Sequence, residues 1–158
     1  MTGEQTFLLQ RVQPALTGLI DGSLSTIAPI FSVALYTHEP HAAFIAGTAT
    51  AIAAGISMAY SEGLSDTGEL TGRGNPVMRG AITGVGTFMG GILHTLPFLL
   101  PQYRAALILA GIVVVFELVA LAWLRWRFFR TSFVSSLAYV TLAGIVIGAV
   151  SATLGVVG

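Results

Sequence analysis

The sequence predicts an all-α integral membrane protein of five transmembrane helices, with the N-terminus in the cytoplasm and the C-terminus outside. Three observations predict it. Charged residues make up only 9% of the chain against 54% hydrophobic, and the mean hydropathy is +0.85. A soluble domain carries about 25% charged residues because its surface must face water. The second observation is a series of five apolar runs, each near the roughly 20 residues that a bilayer-crossing helix needs. The third is the placement of the arginines.

The runs fall at 14–36, 42–62, 80–100, 104–124 and 132–157, and together they read as one five-span domain over 1–158 with no soluble domain. Charged or turn-rich pieces separate them: Tyr36 to His41, Gly63 to Arg79, Pro101 to Arg104, and Arg125 to Thr131. The runs are continuously apolar rather than alternating over about 10 residues, which sets aside a β-barrel. With five crossings, Arg11, Arg73, Arg79, Arg125, Arg127 and Arg130 share one side and only Arg104 lies on the other. An arginine excess marks the cytoplasmic side. Trp123, Trp126, Phe128 and Phe129 suit the aromatic belt at that interface. The N-terminus does not read as a cleavable signal, since Glu4 is its first charge and only Arg11 precedes the first run.

Small residues recur at four-residue spacing: Gly47, Ala51 and Gly55; Gly80 and Gly84; Gly86 and Gly90; Gly144 and Gly148. Between lipid-embedded helices, such residues permit the close backbone approach that drives association. They either close the bundle or form the seam of a homodimer.

Several function classes drop out. The formal net charge is zero, so there is no basic excess for nucleic acid. Without cysteine there is neither a disulfide framework nor a thiolate metal site. No HExxH, GxSxG, Walker loop or strand-linked GxGxxG is present, so the chain does not read as an enzyme, and no cofactor is implied.

What remains is a set of ionisable groups inside apolar runs. Each costs roughly 2.5–3.5 kcal/mol at the membrane centre, so such groups mark pathways. Asp21 lies about seven residues into the first run, or ~10 Å at the helical rise. Pro29, two turns on, should loosen that helix and free a carbonyl. In the second run Met58, Glu62 and Asp66 recur every four residues and share a face if the helix continues past Gly63, with Glu69 three further on. The first two helices are antiparallel, so Asp21 and Met58 can meet near the inner mouth. Carboxylates with a thioether suit a divalent transition ion; otherwise Met58 is lipid-facing filler and Glu62 a solvated helix end. Glu117 stands in a fully apolar stretch, so it either meets a partner inside the bundle or keeps its proton. His94 is a hydrogen-bonded packing residue, a proton relay or an exit-side ligand. His38, Glu39 and His41 form a solvated turn.

Three segments carry a resemblance. Gly18 to Thr26 (GLIDGSLST), Ala54 to Glu62 (AGISMAYSE) and Gly90 to Pro97 (GGILHTLP) resemble the first three helix signatures of the vacuolar iron transporter family. The membrane domain of bacterial membrane-bound ferritin is similar through Leu19 to Ser23, Ser65-Asp66, Leu70 to Gly74 and Glu117. The likeness runs over essentially the whole chain. It implies export of iron(II), with manganese(II) as a second ion, from the cytoplasm by proton antiport in a homodimer. Asp21 and Met58 fall where that family coordinates metal, and Glu62 falls one turn on. Plant relatives carry a long cytoplasmic insert where this chain has only Gly63 to Arg79, and membrane-bound ferritins carry a di-iron domain where it has about a dozen residues. A soluble iron-binding protein is then an expected donor, and the bacterial cytoplasmic membrane the expected location. The rival readings are a scaffold subunit that kept the fold and lost transport, and a passive cation channel.

Overall fold

The computed structural model describes residues 2–157. The described residues are helical throughout, joined by turns and one longer loop. Helix α1 (Gly3–Phe7) opens with a capping box, Thr2 and Gln5 each satisfying the other's backbone N–H. A single π turn (Leu8–Val12) leads into α2 (Gln13–Ser25). Pro14 explains the wider turn, since it has no N–H to return to the preceding turn.

The first apolar run breaks at Thr26 and resumes as α3 (Ile27–Thr37). Pro29 sits in the first turn of α3, where its missing N–H costs least. His38 in the left-handed conformation ends α3, and Pro40 begins α4 (Pro40–Gly63). Helix α5 (Pro76–Leu93) is capped by the Asn75 carboxamide on the Met78 N–H. The run expected over 80–100 therefore starts earlier and ends sooner. His94 caps α5, and a 3₁₀ turn (Leu96–Leu99) containing Pro97 follows. Helices α6 (Tyr103–Phe129) and α7 (Phe133–Val157) complete the bundle. The stretches Gly3–Thr37, Pro40–Gly63, Tyr103–Phe129 and Phe133–Val156 are long and apolar enough to cross a membrane. The protein is thus an all-helical chain with the build of an integral membrane protein.

Small residues decide the packing around α5, which lies against both α2 and α4. Gly86 and Gly90 meet the backbone of Ala15 and Leu19 on α2; Gly80 and Gly84 meet Ala59 and Gly55 on α4. A Cβ at Gly22 would overlap the Thr87 carbonyl, and one at Gly18 the Thr83 carbonyl. The expected four-residue spacing thus closes the bundle at α5. Gly148, by contrast, has nothing within 4 Å of where a Cβ would stand. Two apolar clusters hold the rest. Ile30, Ala34, Ala43, Phe98, Ala106 and Ala110 join α3, α4 and α6, while Leu118, Ala122 and Val140 join α6 to α7.

The start of α2, the loop between α4 and α5, and the turn after α6 lie at one end. Gln10 donates to the Gly72 carbonyl at 3.1 Å, and Gln13 shares a cavity with Arg125 and Thr131. Five of the chain's arginines besides Arg11 therefore belong to that end, as their positions between the runs require.

Candidate polar centres of the bundle

Two polar centres stand out, one inside the bundle and one at its arginine-rich end. The inner centre gathers three helices. His94, at the C-terminus of α5, is 0% exposed, and Glu117, midway along α6, is 5% exposed. His94 Nδ1 lies 2.8 Å from Glu117 Oε2, and His94 Nε2 lies 2.8 Å from Thr26 Oγ1. Thr26 Oγ1 itself stands 2.7 Å from the Gly22 carbonyl, to which it can donate. With the Thr26 proton on the Gly22 carbonyl, His94 Nε2 donates to the hydroxyl; with that proton turned to Nε2, His94 Nδ1 donates to the Glu117 carboxylate. In the first arrangement a further proton lies between Nδ1 and Oε2. His94, Glu117 and Thr26 thus form a buried hydrogen-bonded chain, with the Thr26 hydroxyl at the α2–α3 break as its end. Glu117 Oε1 is also buried, with no partner among the described residues.

Glu117 thus meets a partner inside the bundle, as one of its two sequence alternatives required. His94 is a hydrogen-bonded interior residue. Thr26 was not singled out, although it closes the first resembling segment.

The outer centre is built on Arg79, only 1% exposed. Its Nε donates to Glu62 Oε1 at 2.9 Å, and its Nη1 to Asp66 Oδ1 and the Gly74 carbonyl at 3.3 Å each. Nη2 reaches the backbone carbonyls of Glu62 and Asp66. Arg73 donates to Glu62 Oε1 at 2.6 Å and Asp66 Oδ2 at 3.2 Å. Two guanidinium groups and two carboxylates therefore close into a neutral cluster. Gly68, Gly72 and Gly74 take left-handed backbone angles that let residues 64–75 curl round it. Burial opposes the ionisation of Asp66, but the Gly68 N–H, the Thr71 hydroxyl and the two arginines outweigh it and hold the carboxyl below its usual range.

This arrangement corrects the helical stripe. Helix α4 stops at Gly63, where the Leu64 N–H bonds the Tyr60 carbonyl. Asp66 and Glu69 are consequently loop residues. Arginines, and not helical register, bring Glu62 and Asp66 together, while Glu69 is exposed at the loop tip. In the sequence Arg79 marks sidedness, and Arg73 marks sidedness and belongs to the resembling Leu70 to Gly74 segment. A usable signal was present, because Arg79 stands one turn before Thr83 in an otherwise apolar helix and must be paired if it is inside.

Asp21 is half-buried on α2 and makes no side-chain hydrogen bond among the described residues; Met58 is half-buried on α4, one turn before Glu62. No protein-family model, curated protein or solved structure matches this chain. Among the described residues no three His, Asp or Glu side chains converge on a point where a metal ion could sit.

Proposed function

We propose that this chain is a secondary transporter that exports a divalent metal ion, iron(II) with manganese(II) as a second ion, in exchange for protons. The observation that carries the reading is the sealed His94–Glu117 pair. Ionisable groups inside a bundle are costly, and a scaffold has no use for a buried imidazole and carboxyl group in hydrogen-bond contact, through which a proton can pass. Asp21 supplies the negative charge that offsets cation dehydration, and Met58 the soft sulfur that favours a transition ion. Glu62, Asp66 and Glu69 line the entrance, where a metal competes with Arg73 and Arg79 for the first two carboxylates. Two copies of the chain complete the ligand set, in keeping with the homodimer that the resemblance to vacuolar iron transporters implies.

The same reading takes α5 as the fifth crossing. Its 18 residues extend about 27 Å at 1.5 Å per residue, close to the roughly 30 Å hydrocarbon core. Five crossings put the arginine-rich end in the cytoplasm of a bacterial cell, with a soluble iron-binding protein as donor. Reconstituted liposomes loaded with a pH indicator test the proton step. Iron(II) entry should move internal pH, and Glu117→Gln should abolish that movement while metal binding persists. Metal flux without proton movement in the wild type would make the protein a passive channel.

A further inference from the structure

One cavity carries polar groups that transport does not use. It lies between α2 and the last turn of α6 and has a volume of about 310 Å³. Gln13, Thr17, Arg125 and Thr131 supply its polar lining, and Leu16 and Phe129 its apolar walls. Arg125 Nε and Gln13 Oε1 are both shut off from solvent, and neither finds a partner among the described residues. Each such group costs the loss of its hydration unless a ligand restores the bond. The requirements are opposite, since the guanidinium N–H needs an acceptor and the amide oxygen a donor.

The surroundings fix the charge and the phase of the ligand. Among the described residues Arg11, Arg125, Arg127 and Arg130 form no ion pair, in contrast to Arg73 and Arg79. Glu4 and Glu69 are likewise unpaired acids of the same end among the described residues, so four such arginines against two such acids leave it net positive. Trp123, Trp126 and Phe129 are exposed beside it, at the level where aromatic rings meet lipid headgroups. Basic pockets between helices at a membrane surface are suited to anionic lipid.

We propose that this cavity binds an anionic phospholipid whose headgroup carries both a phosphate and a hydroxyl, as phosphatidylglycerol does. Once the Arg125 and Gln13 side chains turn toward the cavity, a phosphate oxygen accepts from the guanidinium and a headgroup hydroxyl donates to the Gln13 carboxamide oxygen, while the Thr17 and Thr131 hydroxyls bond the remaining oxygens. The acyl chains leave past Leu16 and Phe129 into the bilayer. A choline headgroup offers the same phosphate acceptor but has no O–H or N–H to donate, and its quaternary ammonium meets a positively charged surface. Soluble glycerol phosphate shares the polar chemistry but leaves the apolar walls uncovered.

Native mass spectrometry of the purified full chain, with phosphatidylglycerol and phosphatidylcholine added in equal amount, tests the assignment. Phosphatidylglycerol should be retained in preference. Arg125→Gln should lower its retention about tenfold, the loss expected for a charge-assisted hydrogen bond. Arg130→Gln, on the turn outside the cavity, should leave it nearly unchanged. Thr17→Phe fills the cavity from an exposed rim position without altering charge, so it decides the matter if Arg125→Gln folds poorly, and it should also lose the lipid. Equal retention of both lipids would overturn the proposal. So would equal losses in the two arginine variants, which would mean diffuse surface attraction, or displacement by an equal concentration of glycerol phosphate.

Discussion

Removing the Arg79 guanidinium would leave the Glu62 and Asp66 carboxylates and the backbone carbonyls of Glu62, Asp66 and Gly74 without their shared donor. Breaking a buried charge pair costs about 3–5 kcal/mol, and partial access of water to Glu62 favours the lower end. Arg79→Met should therefore lower stability by about 3 kcal/mol, read from thermal unfolding in detergent, with loop 64–75 becoming protease-sensitive. Glu62→Gln should also destabilise, a consequence that a purely metal-binding Glu62 would not have. Asp66 gives a pH signature. Its carboxyl is held below the usual range in the folded chain, so its contribution is present above that range and is lost as pH falls through the lowered value. The stability gap between wild type and Asp66→Asn should stay constant at neutral pH and close only below about pH 4. A gap that closes near pH 6 would contradict the pairing of Asp66 with Arg73 and Arg79.

At the scale of elements, close helix approach makes a sharp distinction between glycines. Gly22→Ala should separate α2 from α5, because the added carbon meets backbone that cannot swing aside. Overpacking of this kind costs about 1–3 kcal/mol. Gly148→Ala should leave thermal stability unchanged, since that face of α7 is open. Most helices were legible as apolar runs, but α5 spans Pro76–Leu93 rather than 80–100, and Pro29 pointed to a loosened helix where the chain breaks at Thr26. The faces that meet were less so. Four-residue spacing marked Gly80, Gly84, Gly86 and Gly90 as contact residues but could not say that two of them face α4 and two face α2. His94 and Glu117 are 23 positions apart and Thr26 is 68 from His94, and no periodicity within one helix reports a partner on another. The stripe through Asp66 and Glu69 failed for a different reason. Gly63 and the glycines after it favour a curled loop, and the arginines that hold it come from beyond that loop's tip.

For the whole molecule, sidedness and transport are the two claims to settle. The chain has no cysteine, so single cysteines report topology directly. Cysteines replacing Glu69 and Ser132 should react only with reagent on the cytoplasmic side, and those replacing Glu39 and Gln102 only from outside. Reaction of Glu69 and Gln102 substitutions from the same side would remove α5 as a crossing and leave four. The central claim is that a divalent metal crosses this bundle past Asp21, and uptake by liposomes holding the purified chain tests it most directly. The account predicts iron(II) and manganese(II) flux into wild-type liposomes, coupled to internal pH, and loss of that flux in Asp21→Asn, which removes the charge but keeps the size of the side chain. Equal metal flux in the wild type and Asp21→Asn, or none in either above protein-free liposomes, would contradict it.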